Sequence, residues 1–265
     1  MKLIAKVSKG SRMDQIYIPK NRNGFAVGSY VILKPVSAEK AEDNPYFYNV
    51  KEIEPIKLEL ANEVFKIIDT ETENYDNIII TGSFLEKGFN FNDIDLLLIT
   101  NSKLDESGLK QKIEETTKIK VHLIILNNAS LIKGLSADPL YHMMLGRCIA
   151  KKRFVFNVKR ELNYKILDLH LLKSKTLIDN FDILSGSEKY YLIRNMIAIF
   201  LFLQYKKIEP ETVDKEIVEL FNINNVSIIK NNMIDKKSFL QRYNSIYNDT
   251  FKSVMDGINN GSKHK

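Results

Sequence analysis

The chain has a single cysteine, Cys148, in 265 residues. That excludes an intrachain disulfide, and with it any cysteine-based zinc cluster. It also makes a reducing cytoplasm the expected compartment. No apolar run approaches the roughly 20 residues needed to span a bilayer, so no membrane partner is expected. The opening stretch, MKLIAKVSKGSRMDQ, is broken by charge too early to serve as a secretion signal. Internal repeats and low-complexity tracts are also missing. There is no acidic excess; the net charge is +6 and the isoelectric point near 9.1, a balance that suits polyanionic partners such as nucleic acid or nucleoside triphosphates. What remains is an ordinary globular composition, 44% hydrophobic and 27% charged, long enough for one large domain or a few small ones.

Three segments follow one another. Residues 1–44 are β-rich: KLIAKVS, QIYIP and SYVILKPV are separated by breaks carrying Gly, Pro and Asn, and SAEKAEDNPYFYN follows as a polar linker. In residues 45–158 the pattern alternates. A helix is expected from Glu54 to Ile68, with Pro55 in its first turn. Strands are expected at NIIIT, DIDLLLIT and KIKVHLIIL, a short helix at LKQKIEETT, a further helix at DPLYHMMLGRCIA and a strand at RFVFNV. Across residues 159–265 the apolar period is helical. Leu162, Ile166, Leu169 and Lys173 share one face there, with Leu167, Leu171 and Ile178 beside it, and Ser185 and Glu188 stand at capping-box spacing before a strongly apolar helix.

Chemistry concentrates in TGSFLEKGFNFNDIDLLLIT, residues 81–100. Alternate residues of a strand point to one face, which sets Asp93 beside Asp95. Two carboxylates that close repel unless a cation lies between them. Magnesium is held by one or two carboxylates together with substrate phosphates. Upstream, Gly82 permits close backbone approach, and Ser83 opens a turn whose free N–H groups can hold a phosphate. Strand, Gly-Ser turn and a strand bearing Asp-x-Asp thus describe a triphosphate cradle next to a metal seat.

GSFLEKGFNFNDIDLLLI resembles the nucleotidyltransferase core of the DNA polymerase beta superfamily. Its pattern is a Gly-Ser, here with Asp93 ten residues after Ser83, and then Asp-x-Asp in an apolar strand. The resemblance covers residues 55–158. It implies a central α/β domain with a mixed sheet, in which Gly82 and Ser83 bind the terminal phosphate and Lys87 steadies the triphosphate. It further implies that Asp93 and Asp95 hold Mg²⁺ (or Mn²⁺) for in-line attack on the α-phosphorus. The family usually has a third carboxylate on the following strand, where this chain has His122. Three readings of His122 stay open: a neutral imidazole acting as general base, a lost metal site in a domain that only binds nucleotide, or a core residue.

The first segment, with QIYIPK and GSYVILK, resembles the AbrB/SpoVT swapped-hairpin domain. That implies a homodimeric barrel in which Lys6, Lys9, Arg12, Lys20 and Arg22 contact DNA phosphates. The last segment resembles the helical bundles that accompany small nucleotidyltransferases, including the HEPN type. The ribonuclease motif of that type needs a His soon after an Arg, and NMIAIFLFLQY after Arg194 has none, so no nuclease is expected. The clusters KKRF and Lys159–Arg160 offer either phosphate steering or a solvated charged face. The expectation is therefore an α+β protein with a swapped-hairpin segment, a nucleotidyltransferase domain and a helical bundle. Its function would be magnesium-dependent transfer of a nucleoside monophosphate from a nucleoside triphosphate to a hydroxyl. The rival expectation is a DNA-binding, antitoxin-like regulator whose degenerate domain only binds nucleotide.

Overall fold

The structure, a computed structural model, describes residues 45–72 and 74–261, together with Val7, Ser8, Gly10, Ser11, Met13, Gln15, Ile16 and Val27. Contacts divide the chain into residues 1–43 and residues 44–265. In the first unit, β1 (Val7–Ser8) and β2 (Gln15–Ile16) pair antiparallel. The expected DNA contacts Lys6, Lys9, Arg12, Lys20 and Arg22, and the strand SYVILKPV, lie outside the described residues. No described helix is long and apolar enough to cross a membrane.

The second unit is α+β around a mixed sheet of order β3-β7-β4-β5-β6. Strands β3 (Tyr46–Tyr48), β7 (Cys148–Ala150), β4 (Asn77–Thr81) and β5 (Asp93–Ile99) run antiparallel to their neighbours, and β6 (Lys120–Leu126) pairs parallel with β5. The parallel pair needs a crossover, which α2 (Glu106–Thr117) provides, capped by the Asp105 carboxylate on Gly108 N. Strand β4 is buried along its whole length, which explains its unbroken Ile run.

Each face of the sheet has its own cover. Helix α1 (Pro55–Glu71) and α2 bury Val64, Ile68 and Ile113 against Ile78, Ile80, Leu96 and Leu98. On the opposite face α3 (Asn128–Ala137) and α4 (Pro139–Leu145) bury Leu131, Leu135 and Leu145 against Ile79, Leu97 and Ile99. Asp93 and Asp95 belong to this second face by strand alternation. Helices α5 (Tyr164–Asp179), α7 (Pro210–Phe221), α8 (Ser227–Lys230) and α9 (Lys236–Gly261) pack around α6 (Gly186–Leu203), which also touches α4. The Ser185–Glu188 capping box starts α6, and the near-continuous burial of Leu192 to Phe202 explains why its sequence is apolar on almost every side.

Four local expectations are corrected. The stretch expected as a polar linker contains β3, and Tyr48 stacks on Phe154 at 4.2 Å between ring centroids. The strand expected at RFVFNV falls instead at Cys148–Ala150, where it pairs with both β3 and β4. Helix α3 was not expected, because NNASLIKGLSA is short and carries a glycine. On α5 the buried stripe is Leu167, Leu171, Ser174 and Leu177, centred on the residues expected beside the main face, whereas Leu169 of that face is 65% exposed.

Candidate functional site

Strand β4 delivers the chain to Gly82, whose φ of 83° and ψ of −161° belong to a region only glycine occupies comfortably. A side chain there is excluded for a second reason. A Cβ on Gly82 would lie 1.9 Å from Asp95 Oδ2. The bare backbone of the Gly-Ser turn therefore sits directly against the second aspartate of the next strand. Ser83 begins a short 3-10 turn, Ser83–Leu85, closed by Glu86 N on Ser83 O at 2.9 Å. Thr81 steadies the end of β4, donating its hydroxyl to Met144 O at 2.5 Å.

The register places Asp95 opposite His122 on β6, and His122 Nδ1 lies 3.1 Å from Asp95 Oδ1. Against an ionised Asp95, which can only accept, Nδ1 is the donor, and in a neutral imidazole Nε2 then keeps the lone pair. Burial pushes the Asp95 carboxyl above the usual carboxylate range, and the Asp93 charge adds to this. The His122 hydrogen bond and the Arg194 charge oppose it. Among the described residues, Asp95 has no ion-pair partner but His122, and Asp93 has none. No group of three or more His, Cys, Asp or Glu able to hold a metal occurs among the described residues.

The loop from Ser83 to Phe91 is held by a lysine that sequence reasoning missed. Lys57, on α1, is fully buried. It donates to Glu86 O at 2.5 Å and to Gly88 O, and pairs with Glu54 Oε2 at 3.1 Å. It also lies among the rings of Phe84, Phe89 and Phe91, 5.3 to 5.9 Å from their centroids. Glu54 completes the clamp by accepting from Gly88 N at 2.6 Å. That bond, the bond from its own backbone N–H and the one from Lys57 draw its carboxyl down to about 2.

The side chain of the same Glu86 accepts from Arg147 Nη2 at 2.8 Å and from Lys230 Nζ on α8 at 3.2 Å. Burial works against ionisation of Glu86, but the Lys230 and Arg147 charges outweigh it and hold its carboxyl below the usual range. Nearby, Tyr190 of α6 donates to Asp214 Oδ1 of α7 at 2.6 Å. Lys87 is exposed beside this cluster, on an open groove shared with Glu86, Arg147, Asp214 and Lys230. On the other side of Arg147 a cavity of about 210 Å³ adjoins Gly82, Asp95 and His122 and is roofed by Arg194 and Asn195 of α6. The Arg194 Nε is buried without a hydrogen-bond partner.

Gly82, Asp95 and His122 thus share one cavity wall, with Ser83 and Asp93 next along the same segments and Lys87 on the adjoining groove. The charged cluster KKRF points elsewhere: Lys151 pairs with Asp69, and Lys152 donates to Tyr75 O at 2.8 Å. Arg160 donates to Lys206 O at 2.6 Å. The one sequence signal for the roof was Arg194–Asn195, two polar residues inside an apolar helical run.

No protein-family model matches this chain, and no curated protein matches it. Among solved structures the chain is similar to one described as a tri-AMPylated Shewanella oneidensis HEPN toxin in complex with MNT antitoxin. That match has 13% identity and a TM-score of 0.26, over 48% of this chain and 94% of the other. At that TM-score the likeness carries no argument about fold or function.

Proposed function

We propose that this protein is a magnesium-dependent nucleotidyltransferase that moves a nucleoside monophosphate from a nucleoside triphosphate to a hydroxyl. One observation carries the reading. Two carboxylates share one strand face, the second of them, Asp95, stands against the side-chain-free backbone of Gly82, and no lysine or arginine pairs with either among the described residues. Such a pair suits a magnesium ion shared with substrate phosphates, rather than a cation caged by protein alone. Asp93 and Asp95 would hold it, and when bound it would neutralise phosphate charge that builds up during transfer.

The chain's own residues supply the rest. Backbone N–H groups after Gly82 offer donors for the phosphates, and Lys87 adds a cation from the groove. Asp95 orients His122, whose Nε2 takes the proton of the attacking hydroxyl. The new bond joins that oxygen to the α-phosphorus, the bond to the β-phosphate bridge breaks, and pyrophosphate leaves. The decisive experiment is titration calorimetry of nucleoside triphosphates with and without magnesium. Binding should strengthen with the metal in the wild type and lose that dependence in Asp93→Asn plus Asp95→Asn. Equal affinity in the wild type with and without magnesium would sink the proposal.

A further inference from the structure

The cavity under α6 is built unlike the charged groove beside it. Its walls are largely apolar, with Ile124 from β6 and Leu140, Met143 and Met144 from α4. Thioethers adapt to flat ring faces and make favourable sulfur–aromatic contacts. Tyr191, 42% exposed and outside the helical core, lines the same space, with the Lys173 ammonium 5.5 Å from its ring centroid. At the roof stands Asn195, only 5% exposed. Its side chain makes no hydrogen bond to any described residue. Its amide atoms are not among the buried unpaired ones, which include Arg194 Nε, so they open onto the cavity that Asn195 lines and are available to a ligand.

We propose that this cavity seats a purine base, with the Asn195 amide bonded to the edge of the ring and Tyr191 stacked on its face. The proposal rests on Asp93 and Asp95 anchoring the triphosphate, because the cavity opens at Asp95 and Gly82 and a nucleoside must extend from that point. Size agrees: an apolar cavity of about 150 Å³ accepts benzene, and this one, at about 210 Å³, has room for a bicyclic ring. Chemistry agrees too. A primary amide sets a donor beside an acceptor, and a purine offers the complementary pair along one edge. The amide does not choose between adenine and guanine, so the seat selects for ring size and edge rather than for one purine. Arg194, with a charge close enough to Asp95 to act on it and no carboxylate within ion-pair distance, is placed for the phosphate end of the same ligand.

The test is calorimetry on the full chain with magnesium, using ATP, GTP, UTP, inorganic tripolyphosphate and adenosine. ATP and GTP should bind at least about 10-fold tighter than tripolyphosphate, with UTP between them, as expected when one stacked and hydrogen-bonded base is added. Asn195→Leu should cost about 10-fold in ATP affinity and leave tripolyphosphate unchanged. Tyr191→Ala, at an exposed position that does not threaten folding, should weaken ATP by about 5-fold or more, again without touching tripolyphosphate. Equal binding of ATP and tripolyphosphate by the wild type overturns the seat, as does an ATP advantage that survives both substitutions. Adenosine binding without tripolyphosphate binding would keep the seat and remove the metal anchor instead. If none of the probes binds, both proposals fall.

Discussion

Replacing Lys57 with methionine isolates the clamp on the Ser83–Phe91 loop, because the two side chains are close in volume and the apolar part of the packing is kept. What disappears is a buried ammonium and its bonds to Glu86 O and Gly88 O. Exchanging a whole buried ion pair for apolar residues is often harmless. Here the acceptors are backbone carbonyls, which no second substitution can remove. Both carbonyls are part-buried, so each left without its partner should cost toward the low end of the usual range of about 1–3 kcal/mol, and the two together about 3 kcal/mol. In a cooperative unit of this size, that lowers the melting temperature by roughly 6–12 °C. Thermal melts give the total, and hydrogen exchange across residues 82–92 locates it, since the loss should fall on the loop before the sheet. A Lys57→Met protein that melts within about 2 °C of the wild type, with unchanged exchange in the loop, would refute the clamp.

Gly82→Ala should destabilise the fold by roughly 1–3 kcal/mol through its left-handed φ. It should also abolish magnesium-dependent triphosphate binding, because the new methyl displaces Asp95; melts and calorimetry read the two effects separately. His122→Ala should lower turnover by about 10²- to 10⁴-fold with triphosphate affinity nearly intact, and His122→Asp should restore transfer. If the wild type transfers nothing to any acceptor and His122→Asp alone does, the natural domain senses nucleotide. If His122→Ala leaves transfer untouched, the histidine has no catalytic part. The Glu54 carboxyl is lowered from 4.5 to about 2 in the fold, so its stabilising effect is present above pH 4.5 and is lost as pH falls toward 2. Between those limits the wild type should lose more melting temperature than Glu54→Gln, and parallel curves would contradict the Glu54–Gly88 bond.

Strong local periodicity made α1, the strands NIIIT, DIDLLLI and KVHLIIL, and the capping box at Ser185 legible in the sequence. Each of these is set mainly by residues within one turn or one pleat of each other. The pairing of Asp95 with His122 was partly legible, since both lie at the start of apolar strands, but the parallel register that joins them is not written locally. Strands β3 and β7 were missed because each is three residues long and is defined by its neighbours across the sheet. Lys57 was invisible for a related reason. A lysine one turn into an amphipathic helix reads as solvated, and only the fold wraps carbonyls and three phenylalanines around it. Asn195 carried a signal that went unused, a polar break in a helix otherwise committed to the core.

The loop after Gly82 is tied from both sides, by Lys57 and Glu54 at one flank and by Arg147 and Lys230 on Glu86 at the other. Those ties come from α1, the segment before β7, and α8, so the set is complete only when all three have docked. Its conformational entropy is then spent during folding rather than at the moment a ligand arrives. A phosphate meeting Gly82 and Ser83 would find its donors already in place. Conversely, any displacement of α8 would slacken one flank of the loop, so the helical part of the chain holds a mechanical vote on whether the cradle is taut.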